Sequence, residues 1–176
     1  MPTVTIDGKT ITVERGSTII QAADALGIYI PRFCYHPKLS VVAQCRQCMV
    51  EIQQPAPPPG AAPRPFTACS TPVADGMVVS TTSEVAVQAQ KGVVEFLLLN
   101  HPLDCPICDQ GGECPLQDIT MSFGKSVTRS EFVRRIYPKF EISAYIEPEM
   151  NRCVHCTRCM RFSEEIDGAS EFGFVD

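Results

Sequence analysis

The stretch His101-Pro-Leu-Asp-Cys105-Pro-Ile-Cys108-Asp-Gln-Gly-Gly-Glu-Cys114-Pro-Leu-Gln-Asp118 places one imidazole and three thiols within fourteen residues. No other feature restricts the chain as much. The X-Pro pairs at His101, Cys105 and Cys114 push the preceding residue toward extended backbone. Gly111-Gly112 supplies the positive φ needed to wrap a chain around a buried object. The stretch is too rich in Pro and Gly for a helix interior, so a loop shaped to enclose something is expected. Four such ligands suit tetrahedral zinc or an iron-sulfur cluster, and the Cys105-x-x-Cys108 pair alone does not separate the two.

The chain carries ten cysteines in 176 residues. Its opening, Met1-Pro-Thr-Val-Thr, enters a strand-like pattern with no basic or apolar leader. Clustered cysteines are therefore expected to bind metal or do redox chemistry in a reducing compartment rather than to form a disulfide framework. The longest apolar helical candidate lies around Val93 to Leu99, well short of the 18 or so residues a span needs, so any link to a membrane is expected to run through a partner. A net charge of −5 with scattered Lys and Arg lacks the basic stripe of a nucleic-acid surface.

Val4 and Ile6, the turn signal Asp7-Gly8, and then Ile11 and Val13 predict a hairpin. Thr18-x-x-Gln21 has the form of a capping box, Ile19, Ala23 and Leu26 recur at helical spacing, and Gly27 stands where a helix stops. A short helix crossing the hairpin is expected. Ile30-Pro31 then turns the chain into Cys34, and a loop carries Cys45 and Cys48 into a strand at Met49 to Ile52. Gln54 to Pro65 holds six of the fifteen prolines and reads as a solvated excursion. A strand around Phe66 to Ser70, bringing in Cys69, and another at Gly76 to Thr81 close this part of the chain.

Ser83 caps a predicted helix through Ala86, Ala89, Val93, Val94, Leu97 and Leu98 to Asn100, which delivers the His101 loop. From Gly92 to Gly124 there is no Lys or Arg, so the loop brings no cation to its own thiols. Its acids, Glu95, Asp104, Asp109, Glu113 and Asp118, read as a solvated rim. Alternation around Phe132 to Ile136 predicts one or two strands, and Asn151-Arg-Cys153-Val-His-Cys156-Thr-Arg-Cys159 follows. Three cysteines at two-residue spacing suit a cubane cluster. A bacterial ferredoxin run would place a fourth Cys three residues on, where this chain has Ser163. His36 lacks the second His that a Rieske centre needs and reads as a surface or neighbouring group; His155 reads as a polar neighbour of the cysteines around it.

Hairpin, helix, then loop-borne cysteines and strands is the order of plant-type ferredoxins, and Cys34, Cys45, Cys48 and Cys69 resemble a variant of their ligand pattern. Ten residues separate the first two cysteines, where the plant-type run has four, as in the ferredoxin-like domain at the front of respiratory complex I. The alternative for these four is burial as small hydrophobes. The run from His101 to Asp118, preceded by Val94-Glu-Phe-Leu-Leu-Leu-Asn100, closely resembles the N-terminal iron-sulfur region of the large iron-sulfur subunit of NADH:quinone oxidoreductase (respiratory complex I). The resemblance spans essentially all 176 residues and is weakest at Gln44, where a small residue is expected.

The resemblance implies an α+β fold: a plant-type ferredoxin-like (β-grasp) domain at 1–82, a helix plus His/Cys3 loop at 83–124, and the start of a small ferredoxin-like [4Fe-4S] domain at 125–176. It implies a [2Fe-2S] cluster on Cys34, Cys45, Cys48 and Cys69, and a [4Fe-4S] cluster on His101, Cys105, Cys108 and Cys114. A further [4Fe-4S] cluster would sit on Cys153, Cys156 and Cys159, its fourth ligand outside this sequence in a longer subunit of which the chain is a fragment. Electrons would enter from a flavin/NADH-binding subunit and leave toward quinone, with other hydrophilic-arm subunits as partners and the membrane arm reached only indirectly. The implied location is peripheral, on the cytoplasmic face of the bacterial inner membrane. No catalytic residue is expected, and no Gly-rich phosphate loop after a strand is present for flavin or nicotinamide. Two alternatives stay open. One is the electron-input segment of an NAD-linked hydrogenase or formate dehydrogenase, relatives that keep a Cys where this chain has Ser163. The other is a zinc-stabilised interaction module.

Overall fold

A computed structural model describes residues 1–53, 63–139, 141–170 and 173. The proline-rich excursion expected from Gln54 onward lies largely outside them, at 54–62. The chain forms two compact units, one made of the residues up to Gln90 together with those from Cys156 on, the other of Lys91–His155.

The first unit is built on a five-stranded mixed sheet of β1 (Thr3–Ile6), β2 (Lys9–Thr12), β3 (Met49–Gln53), β4 (Pro65–Thr67) and β5 (Met77–Ser80), in the order β2-β1-β5-β3-β4. Asp7 and Gly8 both take positive φ, the turn geometry a two-residue hairpin demands, so β2 returns antiparallel with Lys9 opposite Ile6. The Asp7 carboxylate accepts from the Thr81 N–H at 2.9 Å, tying the hairpin turn to the end of β5. β1 and β5 pair in parallel; every other pairing is antiparallel.

Period-2 alternation turns Val4, Ile6, Val50 and Val79 to one face, where they are buried. Helix α1 (Ile19–Ala25) lays Ile19, Ile20, Ala22 and Ala23 into the same core. Its N-terminus is fixed as the capping pattern predicts, the Gln21 side chain accepting from the Thr18 N–H at 2.9 Å. Two further bonds, Ile19 N–H to the Thr71 carbonyl and Ile20 N–H to the Ala68 carbonyl, both 3.0 Å, hold the helix start against the segment that carries Cys69.

Two strand expectations are corrected. The strand expected to run from Phe66 to Ser70 ends at Thr67, because the Thr67 carbonyl accepts from both the Ser70 and Thr71 N–H groups and so closes a turn; Cys69 stands in that turn, not in a strand. The segment Phe132 to Ile136 forms no strand, because its backbone N–H groups go to side chains, Arg135 to Asn100 and Phe132 to Ser130, and no strand pairs with it among the described residues.

Helix α2 (Glu84–Leu98) starts as expected at Ser83, whose hydroxyl accepts from the Ala86 N–H at 3.2 Å. Its buried positions are Ala86, Gln90 and Val94, one turn apart. Gln90 is the member the apolar pattern does not announce. Its side-chain amide donates to the Met49 carbonyl at 2.8 Å, and its own carbonyl accepts from the Gln47 amide at 3.4 Å. Among the described residues no helix is long and apolar enough to cross a membrane.

In the second unit, Arg129 grips the Glu95 carboxylate through its backbone N–H and its guanidinium, at 2.7–3.1 Å. These bonds hold Glu95 well below the usual carboxylate range, at about 2. A carboxylate depressed on folding adds stability above its unfolded pKa and loses it as pH falls toward the folded value. Thermal unfolding of the wild type should therefore be shifted down by acid more than that of Glu95→Gln between about pH 4.5 and 2, with the two converging near pH 2; parallel curves would show that the pair contributes nothing.

Candidate metal centres

Cys34, Cys45, Cys48 and Cys69 are all buried. The arm between Cys34 and Cys45 has no regular secondary structure, Cys48 directly precedes β3, and Cys69 lies in the turn after β4. The Cys34 N–H donates to the Cys45 sulfur at 3.4 Å, and the four thiols lie near enough to perturb one another's protonation, Cys34 with Cys45 and Cys69, and Cys69 with Cys48. Backbone N–H groups near the same sulfurs favour thiolate, those of Gln47 and Phe33 at Cys45, of Cys45 and Gln44 at Cys34, and of Cys69 at Cys48, while the Ala68 N–H bonds the Cys48 carbonyl at 2.9 Å. The chain reaches this geometry through positive φ at Ala43 and Arg46. Gln44 itself is not left-handed, so no small residue is required there.

The thiols share protons unequally. Cys34 is pulled down, chiefly by Cys45 and then Cys69, and Cys48 is pulled down chiefly by Cys69. Cys45 and Cys69 are pushed up by giving their protons to those neighbours, with burial adding to the shift. Inward-pointing N–H groups around buried sulfur stabilise thiolate over thiol. That donor set suits a buried, sulfur-rich anionic group, and it exceeds what four apolar cysteines need. Cys48 and Cys69 also belong to the hydrophobic core.

His101, Cys105, Cys108 and Cys114 line one cavity of about 320 Å3, together with Leu98, Leu116, Thr120 and Arg152 among others. Cys105 opens a 3-10 turn, Cys105–Ile107. Gly111 approaches so closely that a Cβ there would stand 2.7 Å from the Cys105 carbonyl and 3.1 Å from that of Cys108. Gly112 takes positive φ and donates to the Gln117 side chain at 3.0 Å. The last part of the stretch is not loop: helix α3 (Pro115–Phe123) begins directly after Cys114, with Pro115 at the first helical position, where a missing N–H costs nothing. A Cys-Pro pair reads equally well as a loop or as such a start.

Burial lowers the His101 pKa, opposed by the Asp104 carboxylate, which favours the neutral imidazole, the form able to bind a metal. The cation that the loop lacks comes from elsewhere: Arg152 donates from Nε to Asp104 at 3.0 Å and lines the cavity. Thr120 Oγ1 is buried there without a hydrogen-bond partner. An unsatisfied hydroxyl beside four soft or borderline donors is the residue pattern expected around a bound group carrying acceptors.

Cys153 follows a 3-10 turn at Met150–Arg152 in the second unit, whereas Cys156 and Cys159 lie in the first. Positive φ at His155 and Thr157 bends the run, the His155 N–H donates to the Cys153 sulfur at 3.4 Å, and helix α4 (Arg158–Phe162) carries Cys159. The Ser163 hydroxyl donates to the Ala169 carbonyl. His36 Nδ1 accepts from the Lys38 N–H at 3.2 Å, and its ring lines a cavity with Cys159 and Phe162. All ten cysteines are free thiols. Among the described residues no three His, Cys, Asp or Glu side chains stand as close as a single metal ion requires; a cluster spreads its ligands over several irons.

Three family models match in succession: a 2Fe-2S iron-sulfur cluster binding domain over residues 1–84, an NADH-ubiquinone oxidoreductase-G iron-sulfur binding region over 90–129, and the ferredoxin-like domain of NADH-quinone oxidoreductase subunit 3 over 143–176. The chain is 45% identical over 175 residues to the NADH-ubiquinone oxidoreductase 75 kDa subunit of Reclinomonas americana, covering 99% of this chain and 24% of that protein. It is 48% identical over 172 residues to the mitochondrial 78 kDa subunit of Neurospora crassa, covering 97% of this chain and 22% of that protein. It thus spans about a quarter of these relatives' length. A crystal structure of an NAD+-reducing [NiFe]-hydrogenase in the H2-reduced state superimposes with a TM-score of 0.80 at 30% identity, over 99% of this chain and 70% of that one.

Gly111→Ala should force the Cys105 and Cys108 carbonyls apart, at a cost of about 1–3 kcal/mol if the loop yields. Alkylation of Cys105, Cys108 and Cys114, followed by mass spectrometry, should then speed up severalfold while Cys34, Cys45, Cys48 and Cys69 keep their wild-type rates. Equal rates at all seven would show that the glycine does not shape the cavity.

Proposed function

We propose that the chain is an electron-transfer segment of an NADH:quinone oxidoreductase, a reading supported by its similarity to the large iron-sulfur subunit of that enzyme. The observation that carries this reading is the gathering of His101, Cys105, Cys108 and Cys114 around one cavity, while four other thiols form a separate buried network. Iron-sulfur binding domains cover most of the sequence, and such clusters, when bound, accept and release single electrons. Cys34, Cys45, Cys48 and Cys69 would hold a [2Fe-2S] cluster, and His101 with Cys105, Cys108 and Cys114 a [4Fe-4S] cluster. Cys153, Cys156 and Cys159 would give three ligands to a further [4Fe-4S] cluster whose fourth comes from outside these residues. The working divisions are 1–82, 83–124 and 125–176.

The residues do the rest by electrostatics and enclosure. Neutral His101 in place of a fourth thiolate removes one negative charge from its donor set, which favours taking up an electron; Arg152 balances the Asp104 carboxylate beside it. Burial of Cys34, Cys45, Cys48 and Cys69 and the N–H groups aimed at them keep water out and the sulfurs in place. Partners would be a flavin/NADH-binding subunit and other subunits of the hydrophilic arm, with electrons leaving toward quinone, and the location peripheral, on the cytoplasmic face of the bacterial inner membrane. The fold likeness to a hydrogenase favours, as a second reading, the input segment of an NAD-linked hydrogenase.

His101→Ala tests the assignment. Iron and acid-labile sulfide analysis, combined with electron paramagnetic resonance, should find the His/Cys3 centre lost or converted and the [2Fe-2S] signal kept at its wild-type intensity. Unchanged signals from both centres would contradict ligation by His101.

A further inference from the structure

The arm from Tyr35 to Gln44 closes over the first thiol site without regular structure. The bonds it makes within itself are local, Leu39 N–H to the His36 carbonyl and Lys38 N–H to the His36 ring. What fastens it comes from more than a hundred residues further on. Arg161 donates to the Cys34 carbonyl and to the Ser40 carbonyl, each at 2.6 Å, and Arg158 donates to the Tyr35 carbonyl at 2.6 Å. The Glu165 carboxylate accepts from the Ser40 N–H at 2.8 Å and from the Ser40 hydroxyl. Ser40 is thus held from both sides by groups one turn apart on the segment that carries Cys159.

Arg161 is only 5% exposed. Its remaining bonds go to the Cys156 carbonyl at 3.1 Å and the Thr157 hydroxyl at 3.3 Å, so no carboxylate is among its hydrogen-bond partners. Glu165 lies near enough to feel it, and its oxygens accept from Ser40. A buried cation is tolerated only when its donors are satisfied, and here neutral carbonyls do most of that, while the Glu165 carboxylate offsets part of the charge without a hydrogen bond to it. The planar guanidinium suits the task because its fork reaches three carbonyls at once, which an ammonium cannot match with the same directionality.

We propose that Arg161, aided by Arg158 and Glu165, is a positioning residue for the first thiol site: it clamps the Cys34–Cys45 arm shut and places a fixed positive charge against the backbone of Cys34. The proposal rests on the reading that Cys34, Cys45, Cys48 and Cys69 hold a [2Fe-2S] centre. It makes that site depend on the far end of the chain, and it ties the loop bearing Cys34 to the loop bearing Cys156 through one side chain.

The test uses the full chain with its iron-sulfur centres assembled, as wild type, Arg161→Gln, Arg161→Lys and Glu165→Gln, and reads the midpoint potential of the [2Fe-2S] centre and the hydrogen exchange of residues 35–44. Loss of the charge in Arg161→Gln should move the one-electron equilibrium about tenfold toward the oxidised form, about 59 mV, and Arg161→Lys should restore it to within about threefold. Glu165→Gln, which leaves the cation in place, should speed exchange around Ser40 severalfold, and it decides the clamp if Arg161→Gln does not assemble. A normal wild-type centre whose potential and arm exchange are indifferent to the variants overturns the clamp alone. A wild-type chain that forms no [2Fe-2S] centre overturns the reading beneath it.

Discussion

Sulfur has to be kept anionic and dry at the same time, and the rest of this structure follows from that demand. Burial by itself opposes it, since moving a thiolate out of water favours the protonated form. The first unit answers with backbone. The N–H groups of Phe33, Cys34, Gln44, Cys45, Gln47 and Cys69 lie near thiol sulfurs and favour the thiolate. They are free to do so because the segments that carry them are loops and turns, not ladders. The sheet and α1 supply a rigid floor, and Cys48 and Cys69 are fixed because they belong to its core. The left-handed residues Ala43 and Arg46 bend the remaining arm over them.

The second unit meets the same demand with a shaped loop. Gly111 lets the backbone pass against the Cys105 and Cys108 carbonyls, and α3 starts at once to anchor Cys114. Charge balance in both units comes from arginines that flank the last three cysteines, Arg152 beside Cys153 and Arg161 beyond Cys159, each reaching a different site within its own unit. One short run of sequence therefore places an arginine at each of two cysteine sites made elsewhere in the chain, one paired with a carboxylate and one with backbone carbonyls.

Local chemistry made much of this legible. The Asp7-Gly8 turn, the Thr18 to Gln21 cap and the Ser83 start of α2 are each decided by a few neighbouring residues, and they stand where spacing puts them. The gathering of His101 with Cys105, Cys108 and Cys114 could be read because all four lie in one short stretch. What escaped is what depends on distant partners. Gln90 looks like a polar interruption of an apolar helix until the Met49 carbonyl is seen opposite it. Arg152 and Arg161 bond mainly to a single carboxylate or to backbone carbonyls, and a carbonyl leaves no trace in a sequence. The alternation at Phe132 to Ile136 misled for the converse reason: strand periodicity states a preference, and a strand exists only where another pairs with it.

The central claim is that these cysteines hold iron and sulfide. The most direct measurement is iron, acid-labile sulfide and zinc determination on the anaerobically purified full chain, with its visible spectrum before and after reduction. The protein should be coloured, with iron and sulfide in comparable amounts, bleached on reduction and nearly free of zinc. A colourless protein loaded with zinc would contradict it.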